Sequence, residues 1–205
     1  MSKAIREFRI FLLVSMLVFF TGSNSAQSVQ PITVTLDPAA TTIDWTLGAT
    51  MHTVNGTFKL KQGTIQCNPR TGEASGLIEI DATSGESGNS SRDHRMHKSI
   101  LESDRYQRIT FRPVHIEGSL GEALHGDFVV DGIFNLHGQD HPMKLNVSAQ
   151  PATGGISIKT HFVVPYVQWG IKDPSTFVFR VEKDVSVDVS AVAKTSIASA
   201  TASHP

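Results

Sequence analysis

The sequence predicts an all-β fold built from about eight antiparallel strands. Apolar and polar residues alternate with a period of two in eight segments, as they do in strands that bury one face. Short stretches rich in Gly, Pro, Asn and Asp, such as NPRTGEA and NLHGQDHP, separate these segments. Because parallel strands need long crossover connections, turns this short favour antiparallel pairing.

Each predicted strand is defined by its own alternation. In the first, Ile43, Trp45 and Leu47 alternate with Asp44 and Thr46. In the eighth, Val and Ala residues alternate with Ser and Asp. In chain order, the predicted strands cover residues 43–47, 54–60, 77–83, 109–116, 128–136, 143–149, 156–164 and 185–191.

The apolar parity of these strands predicts which side chains point towards the interior. Side chains of one parity lie on one face of a sheet, and the apolar face must be covered. A sandwich and a closed barrel both cover it, and periodicity leaves the two open. The side chains expected to project inward are Trp45, Phe58, Phe111, Phe128, Val130, Phe134 and Phe162.

Both ends of the chain differ from this pattern. Residues 1–26 have basic residues, then an apolar run over residues 10–20, then small residues, which is the order of a secretory signal peptide. The apolar run is shorter than the roughly 20 residues that span a bilayer. We therefore predict export to the periplasm or secretion after cleavage, without stable membrane insertion. Residues 194–205 are rich in Ala, Ser and Thr and are predicted to form a flexible tail.

One segment breaks the strand pattern with helical spacing. The stretch SGNSSRDHRMHKSILESDRYQRITF, residues 87–111, places Met96, Ile100 and Leu101 on one face of a short helix. Ser90 or Ser91 is expected to cap its start. The apolar stripe either plugs the core or faces a ligand as a lid, and the charged residues are expected to form local ion pairs.

A second break is VPYVQWGIKDPSTFVFRV, residues 164–181, which contains two prolines and a glycine. We predict a loop over residues 169–175 at one end of the fold, with Phe177 and Phe179 returning to a strand. Trp169 either seals this end against water or contacts a ligand.

Several classes of function lack support in the sequence. The formal net charge is −1, whereas nucleic-acid-binding domains are usually strongly basic. The single Cys67 allows no intramolecular disulfide. The nine His residues are scattered, without HExxH or a Cys pair, and no GxSxG motif is present. We predict no catalytic residues, no metal and no cofactor; an exported His-bearing metal-binding protein or hydrolytic enzyme is the alternative.

Three motifs in order resemble the YceI-like lipid- and polyisoprenoid-binding family of exported bacterial proteins. The first is TIDWTLGATMHTVNGTFKLKQGTI, and the second is the helical segment with its ITF strand. The third is GDFVVDGIFNLHGQDHPMKL. Together they extend the resemblance over residues 36–193. The matching positions include His52, Gly56, Phe58, Gly63, Arg92, Asp93, Met96, Leu101, Tyr106, Ile109, Phe111, Leu136, Gly138 and Pro142.

The resemblance implies an eight-stranded lipocalin-like barrel, covered by a short helix, that holds one long isoprenoid or acyl chain. It implies a non-catalytic binding protein and allows a homodimer, since family members can pair. The residues expected to contact the lipid are the seven inward side chains given above together with Met96, Ile100, Leu101 and Trp169.

Overall fold

The computed structural model describes residues 30–50, 52–118 and 124–197. The predicted signal peptide lies outside the described residues, as do residues 198–205 of the predicted tail. Within the described part of the chain, no helix combines the length and the apolar character needed to cross a membrane.

All eight predicted strands are present, and most are longer than the alternation alone indicated. Apolar parity fades towards strand ends, but backbone pairing continues there. The strands are β1 Ile32–Leu47, β2 Val54–Cys67, β3 Ala74–Glu86, β4 Arg108–Glu117, β5 Gly126–Leu136, β6 Gln139–Ala152, β7 Gly155–Val164 and β8 Val185–Ile197.

The strands close into an antiparallel barrel in which each strand pairs with its neighbours in sequence. Closure comes from β1 and β8, which pair from Ile32 opposite Ile197 to Thr46 opposite Ser186, with an irregularity between Leu36 and Thr41. The predicted barrel is therefore confirmed, and the sandwich that periodicity left open is not formed. Closure leaves none of these eight strands with an unpaired edge.

The closing pair also corrects the predicted tail. Residues 194–197 were expected to be flexible, yet they form the end of β8. Lys194 pairs with Thr35, and Ile197 pairs with Ile32. The composition of this segment is poor in core residues, but the first residues of β1 supply backbone partners that composition does not reveal.

The barrel has two ends with different connections. At the first, here called the helix end, lie the β1–β2 connection, the helical β3–β4 connection, the β5–β6 turn and the long β7–β8 loop. The opposite end, here called the turn end, holds the β2–β3 and β6–β7 turns, the β4–β5 connection, and the outer ends of β1 and β8.

The β5–β6 turn shows how local chemistry sets the register. His137 and Gly138 both have positive φ, at 54° and 77°. Two successive residues of this kind form the two-residue hairpin loop whose twist matches the flanking strands. The turn pairs Leu136 with Gln139, and the register that follows places Phe134 opposite His141. Phe134 is thereby directed to the interior.

Cys67 lies at the end of β2 and is buried, with an exposed fraction of 2%. Burial raises the pKa of its thiol, because the thiolate would lose hydration. The side chain therefore acts as a small core residue at the turn end, where it packs with Ile32 and Ala193.

Candidate ligand-binding site

The barrel encloses a cavity of about 620 Å³. This volume is within the range of roughly 300–1,000 Å³ that is usual for small-molecule sites. The cavity runs from Cys67 and Ala191 near the turn end to Arg95 and Arg180 at the helix end. The barrel interior is thus an elongated space and not a solid core.

All seven side chains predicted to point inward line this cavity: Trp45, Phe58, Phe111, Phe128, Val130, Phe134 and Phe162. Met96, Ile100 and Leu101 of the helical segment line it as well. Ten of the residues singled out from the sequence therefore converge on one space, although they come from five strands and the helical segment.

Trp169 is placed differently. It is not among the cavity-lining residues, and its indole stacks on the imidazole of His141, with ring centroids 4.0 Å apart. The indole also lies 5.8 Å from the ring of Phe134, which does line the cavity. This position behind the wall favours the sealing role over ligand contact.

Gly56 allows the indole of Trp45 to lie flat against the neighbouring strand. A Cβ at this position would lie 2.3 Å from Cζ2 of Trp45 and 2.2 Å from the carbonyl oxygen of Glu86. Since real Cβ atoms do not approach so closely, any larger residue would displace Trp45 or the β2–β3 pairing. The glycine therefore helps to shape the cavity wall.

The helical segment begins with a capped turn. Helix α1 covers Ser90–Arg95, and its N-cap is Asn89, whose side-chain oxygen accepts from the backbone N–H of Arg92 at 3.0 Å. The expectation of a cap at Ser90 or Ser91 is therefore wrong. Asn and Ser are nearly equal as caps, and the chain direction out of β3 decides which residue takes the non-helical position.

The polar face of α1 is attached to the end of β3 through Ser87. The guanidinium of Arg92 donates to the hydroxyl and the carbonyl oxygen of Ser87, at 2.7 and 2.8 Å. The carboxylate of Asp93 accepts from the backbone N–H and the hydroxyl of the same residue. Asp93 was expected to join a local ion pair, but it is used for these hydrogen bonds instead.

After α1 the chain widens into one π-helical turn, Met96–Ile100. His97 holds this turn in place: one ring nitrogen contacts the carbonyl oxygen of Gly85 and the other contacts the hydroxyl of Ser103, both at 2.8 Å. Both nitrogens are thus engaged in structural contacts. The opposite side of the turn directs Met96 and Ile100 into the cavity, so the stripe faces a space and is not a plug.

The β7–β8 loop, residues 165–184, covers another part of the helix end. Tyr166 is buried beneath it and donates a hydrogen bond from its hydroxyl to the carbonyl oxygen of Glu182 at 2.7 Å. Burial raises the pKa of Tyr166 to about 12, with a smaller contribution from the negative charges of Asp173 and Asp184.

The same loop overturns one expectation. Phe177 and Phe179 were predicted to return to a strand, but β8 begins only at Val185 and both residues remain in the loop. The alternation in TFVFRV resembles a strand. However, β7 and β8 already pair with each other in the barrel, so this segment has no strand edge to join there. Phe177 is 98% exposed as a result.

Charge is confined to one end of the cavity. Among the described residues, the ionised side chains that line it are those of Arg92, Arg95 and Arg180, with His52 beside them. All belong to connections at the helix end. Arg95 also bridges two of these connections, because its guanidinium donates to the carbonyl oxygen of Pro174 at 3.1 Å.

Sequence reasoning missed the contribution of the β7–β8 loop to the lining. Tyr166, Ile171, Phe179 and Val181 all face the cavity, although the loop has no strand period to indicate direction. The prolines and Gly170 indicated a loop, but they did not indicate which of its side chains would face the cavity. By contrast, Ile109 and Leu145 share the apolar parity of their strands and could have been found from it.

The described residues contain no group of three or more His, Cys, Asp or Glu side chains that could hold a metal ion. His161 contacts Asp188 and His137 contacts Glu102, each as a single pair with N–O distances of 2.8 and 3.0 Å. These pairs lie among exposed or partly exposed residues and are not directed into the cavity.

These features define a class of protein: a closed eight-stranded antiparallel barrel around an apolar, ligand-sized cavity with cations at one end. The model of the YceI-like domain matches residues 34–193. The chain therefore belongs to the YceI-like domain family. No curated protein was found to match the sequence.

Solved structures share the fold at low sequence identity. BcnA of Burkholderia cenocepacia aligns with a TM-score of 0.62 and 15% identity, over 78% of this chain and 99% of that one. A polyisoprenoid-binding domain from Saccharophagus degradans, implicated in plant cell wall breakdown, gives 0.59 and 17%, over 80% and 98%. The YceI protein of Campylobacter jejuni gives 0.55 and 14%, over 72% and 86%.

Proposed function

We propose that the protein is an exported, non-catalytic binding protein that holds one long isoprenoid or acyl chain inside its barrel. The observation that carries this proposal is the elongated 620 Å³ cavity, whose walls are Phe, Val, Ile, Leu and Met side chains. The family membership and the polyisoprenoid-binding domain among the structural relatives support it. Export rests on the signal-peptide pattern of residues 1–26.

The energetics favour recognition of the chain over recognition of the head group. Burial of each CH2 contributes about 0.8 kcal/mol, so a long chain supplies ample affinity without charged contacts. Arg95 and Arg180 are exposed and lie at the rim, where a polar head group can stay hydrated. Ligand contact by Trp45, Phe58, Phe111, Phe128, Val130, Phe134, Phe162, Met96, Ile100 and Leu101 is part of this proposal.

Chain-length dependence tests the proposal. Purified protein is titrated with fluorescent fatty acids and prenols of increasing length, and affinity should rise steeply with length until the cavity is filled. Replacing an anionic head group by a neutral one should change affinity little, and Arg95→Ala should cost less than about 1 kcal/mol. Dependence on the head group but not on length would contradict the proposal.

A matched pair of variants locates the ligand. Val147 lines the cavity, whereas its neighbour Asn146 on β6 is exposed on the outside of the barrel. Val147→Trp should shorten the longest chain that binds, and Asn146→Trp should not. Mass spectrometry of solvent extracts, with separate metal analysis, addresses the remaining alternative: bound metal without lipid, or activity lost in a chelator, would favour the metal-binding or hydrolytic protein.

A further inference from the structure

Three consecutive apolar side chains project into solvent at the helix end. The exposed fractions are 98% for Phe177, 71% for Val178 and 56% for Phe179. We call residues 177–179 the apolar tip. Scattered single apolar residues are normal on a surface, but adjacent ones rimmed by polar residues mark an interaction site.

The apolar tip belongs to a hydrogen-bonded turn. The backbone N–H of Thr176 donates to the carbonyl oxygen of Phe179 at 2.8 Å, and the N–H of Phe179 donates to the hydroxyl of Thr176 at 3.1 Å. This pair of bonds closes the turn and leaves Phe177 and Val178 at its apex. Arg180 continues the attachment, because its backbone exchanges hydrogen bonds with Thr50 of the β1–β2 connection.

The turn stands on the rim of the cavity. Its two closing residues, Thr176 and Phe179, line the cavity, and so does the following Arg180. Phe177 does not line it. The tip is therefore continuous with the cavity opening on one side and exposed on the other, which places any surface that it contacts directly beside the entrance.

The charges around the tip suit a lipid surface. The tip itself is uncharged, and Arg92, Arg95 and Arg180 line the cavity at the same end. Acidic residues also belong to this loop: the Asp173 carboxylate accepts from the N–H of Ser175 and interacts with the cations of Lys183 and Arg180, and the Glu182 carboxylate lies against Gly48. Aromatic and aliphatic side chains beside cations are characteristic of segments that lie in the membrane interface.

We propose that the apolar tip inserts Phe177 and Val178 into the surface of a lipid bilayer and seats the cavity opening against the membrane. An apolar chain then passes between the bilayer and the barrel without crossing water. The docking step stands on the exposed tip and its surroundings alone. Only the transfer step rests on the proposed lipid-binding function.

Vesicle sedimentation of the full protein tests the docking step. Vesicles of phosphatidylcholine containing phosphatidylglycerol should carry the wild-type protein into the pellet, and vesicles of phosphatidylcholine alone should carry less. Phe177→Ser should lower the partition coefficient roughly ten- to a hundredfold, which corresponds to the burial of one Phe side chain. Ile197→Ser is the matched control, because Ile197 is also exposed but lies at the turn end.

A label at the tip reports its environment. Val178→Cys is modified with an environment-sensitive fluorophore, and Cys67 stays unlabelled because it is buried. Emission should shift to shorter wavelength on addition of vesicles. The same label at Val114→Cys, an exposed position on β4, should not shift.

Lipid transfer separates this inference from the proposed function. Phe177→Ser should bind lipid delivered from organic solvent like the wild type but extract it from vesicles more slowly. Vesicle binding without any lipid uptake would contradict the proposed lipid-binding function but would still support membrane docking through the tip. Wild-type protein that ignores vesicles, equal partitioning of Phe177→Ser, or self-association through the tip without vesicle binding would overturn docking.

Discussion

The two ends of the barrel are made from the same eight strands but differ in almost every other respect. At the turn end, the described β2–β3 and β6–β7 turns are short, and the cavity lining includes Cys67, Ala191, Ile156 and Phe128. At the helix end, two of the four connections are long, the helical β3–β4 connection and the β7–β8 loop, and they carry the three cavity-lining arginines and the apolar tip. The strands form the walls of the cavity, and the connections at the helix end form its entrance.

Packing at the turn end shows why that end is suited to stability. Ala193 is completely buried, and a Cβ on Gly155 would lie 2.0 Å from the carbonyl oxygen of Ala193. The β2–β3 turn is closed by hydrogen bonds of 2.9 Å in which Gly72 N–H donates to Asn68 and Asn68 N–H donates to Glu73. No space remains around Gly155 and Ala193 for a larger side chain.

The largest effect is expected from a charge in the barrel wall near the helix end. Phe134 is buried and contacts the ring of Phe162. Phe134→Asp should destabilise the fold by several kcal/mol, because an unpaired carboxylate loses its hydration in an apolar site. Thermal unfolding followed by circular dichroism measures this. Phe177→Asp places the same charge in solvent and should leave the melting temperature unchanged; equal effects would contradict the assigned positions.

A second prediction sharpens the difference in packing. Ala193→Leu adds volume where no space exists and should lower the free energy of unfolding by about 1–3 kcal/mol. Ala152→Leu at the same end is the control, because Ala152 is exposed. Denaturant unfolding curves, fitted with the same m-value, compare the free energies of unfolding of the two variants. A neutral Ala193→Leu would show that the turn end can expand and is not the rigid part of the barrel.

A third prediction concerns the start of α1. Asn89→Ala removes the side chain that accepts from the N–H of Arg92 and should cost about 1 kcal/mol. Ser90→Ala, one residue later, should be close to neutral. Amide hydrogen exchange over α1 measures the local effect, and faster exchange in Ser90→Ala than in Asn89→Ala would show that the cap is assigned to the wrong residue.

A fourth effect, similar in size to the third, is expected at Tyr166 and depends on pH. The folded-state pKa of Tyr166 is raised from 10.0 to about 12, so between these values the unfolded chain loses the proton first. The stabilising contribution is complete below pH 10 and is lost as pH rises towards 12. Tyr166→Phe should cost about 1 kcal/mol at neutral pH through the lost hydrogen bond to Glu182.

The alkaline range then distinguishes the two proteins. Wild-type melting temperatures should fall more steeply than those of Tyr166→Phe between pH 10 and about 12. Parallel slopes in that range would mean that Tyr166 does not titrate as a buried group, and the loop above it would have to open more readily than its contacts indicate.

Local sequence was sufficient for the strands and their inward faces. Alternation of apolar and polar residues reports directly on a pleated backbone with one buried side, so Phe111 and Phe134 could be assigned without knowledge of their partners. The short turns also followed, because a hairpin loop such as that of His137 and Gly138 depends only on nearby residues.

Other features depended on contacts between distant parts of the chain. Barrel closure, the extension of β8 to Ile197 and the loop position of Phe177 were decided by pairing across the barrel, and a local pattern carries no information about a partner 165 residues away. The position of Trp169 behind the wall was decided in the same way, through its contacts with Phe134 and His141.

The sequence by itself therefore determined the class of fold and the apolar face of each strand, because those are properties of a single segment. Only the tertiary structure decided that these faces enclose a cavity, that Arg92, Arg95 and Arg180 line one end of it, and that the apolar tip remains outside. The physical reason is that enclosure, convergence and exposure are relations between segments, set when β1 and β8 close the barrel and fix where each connection lies.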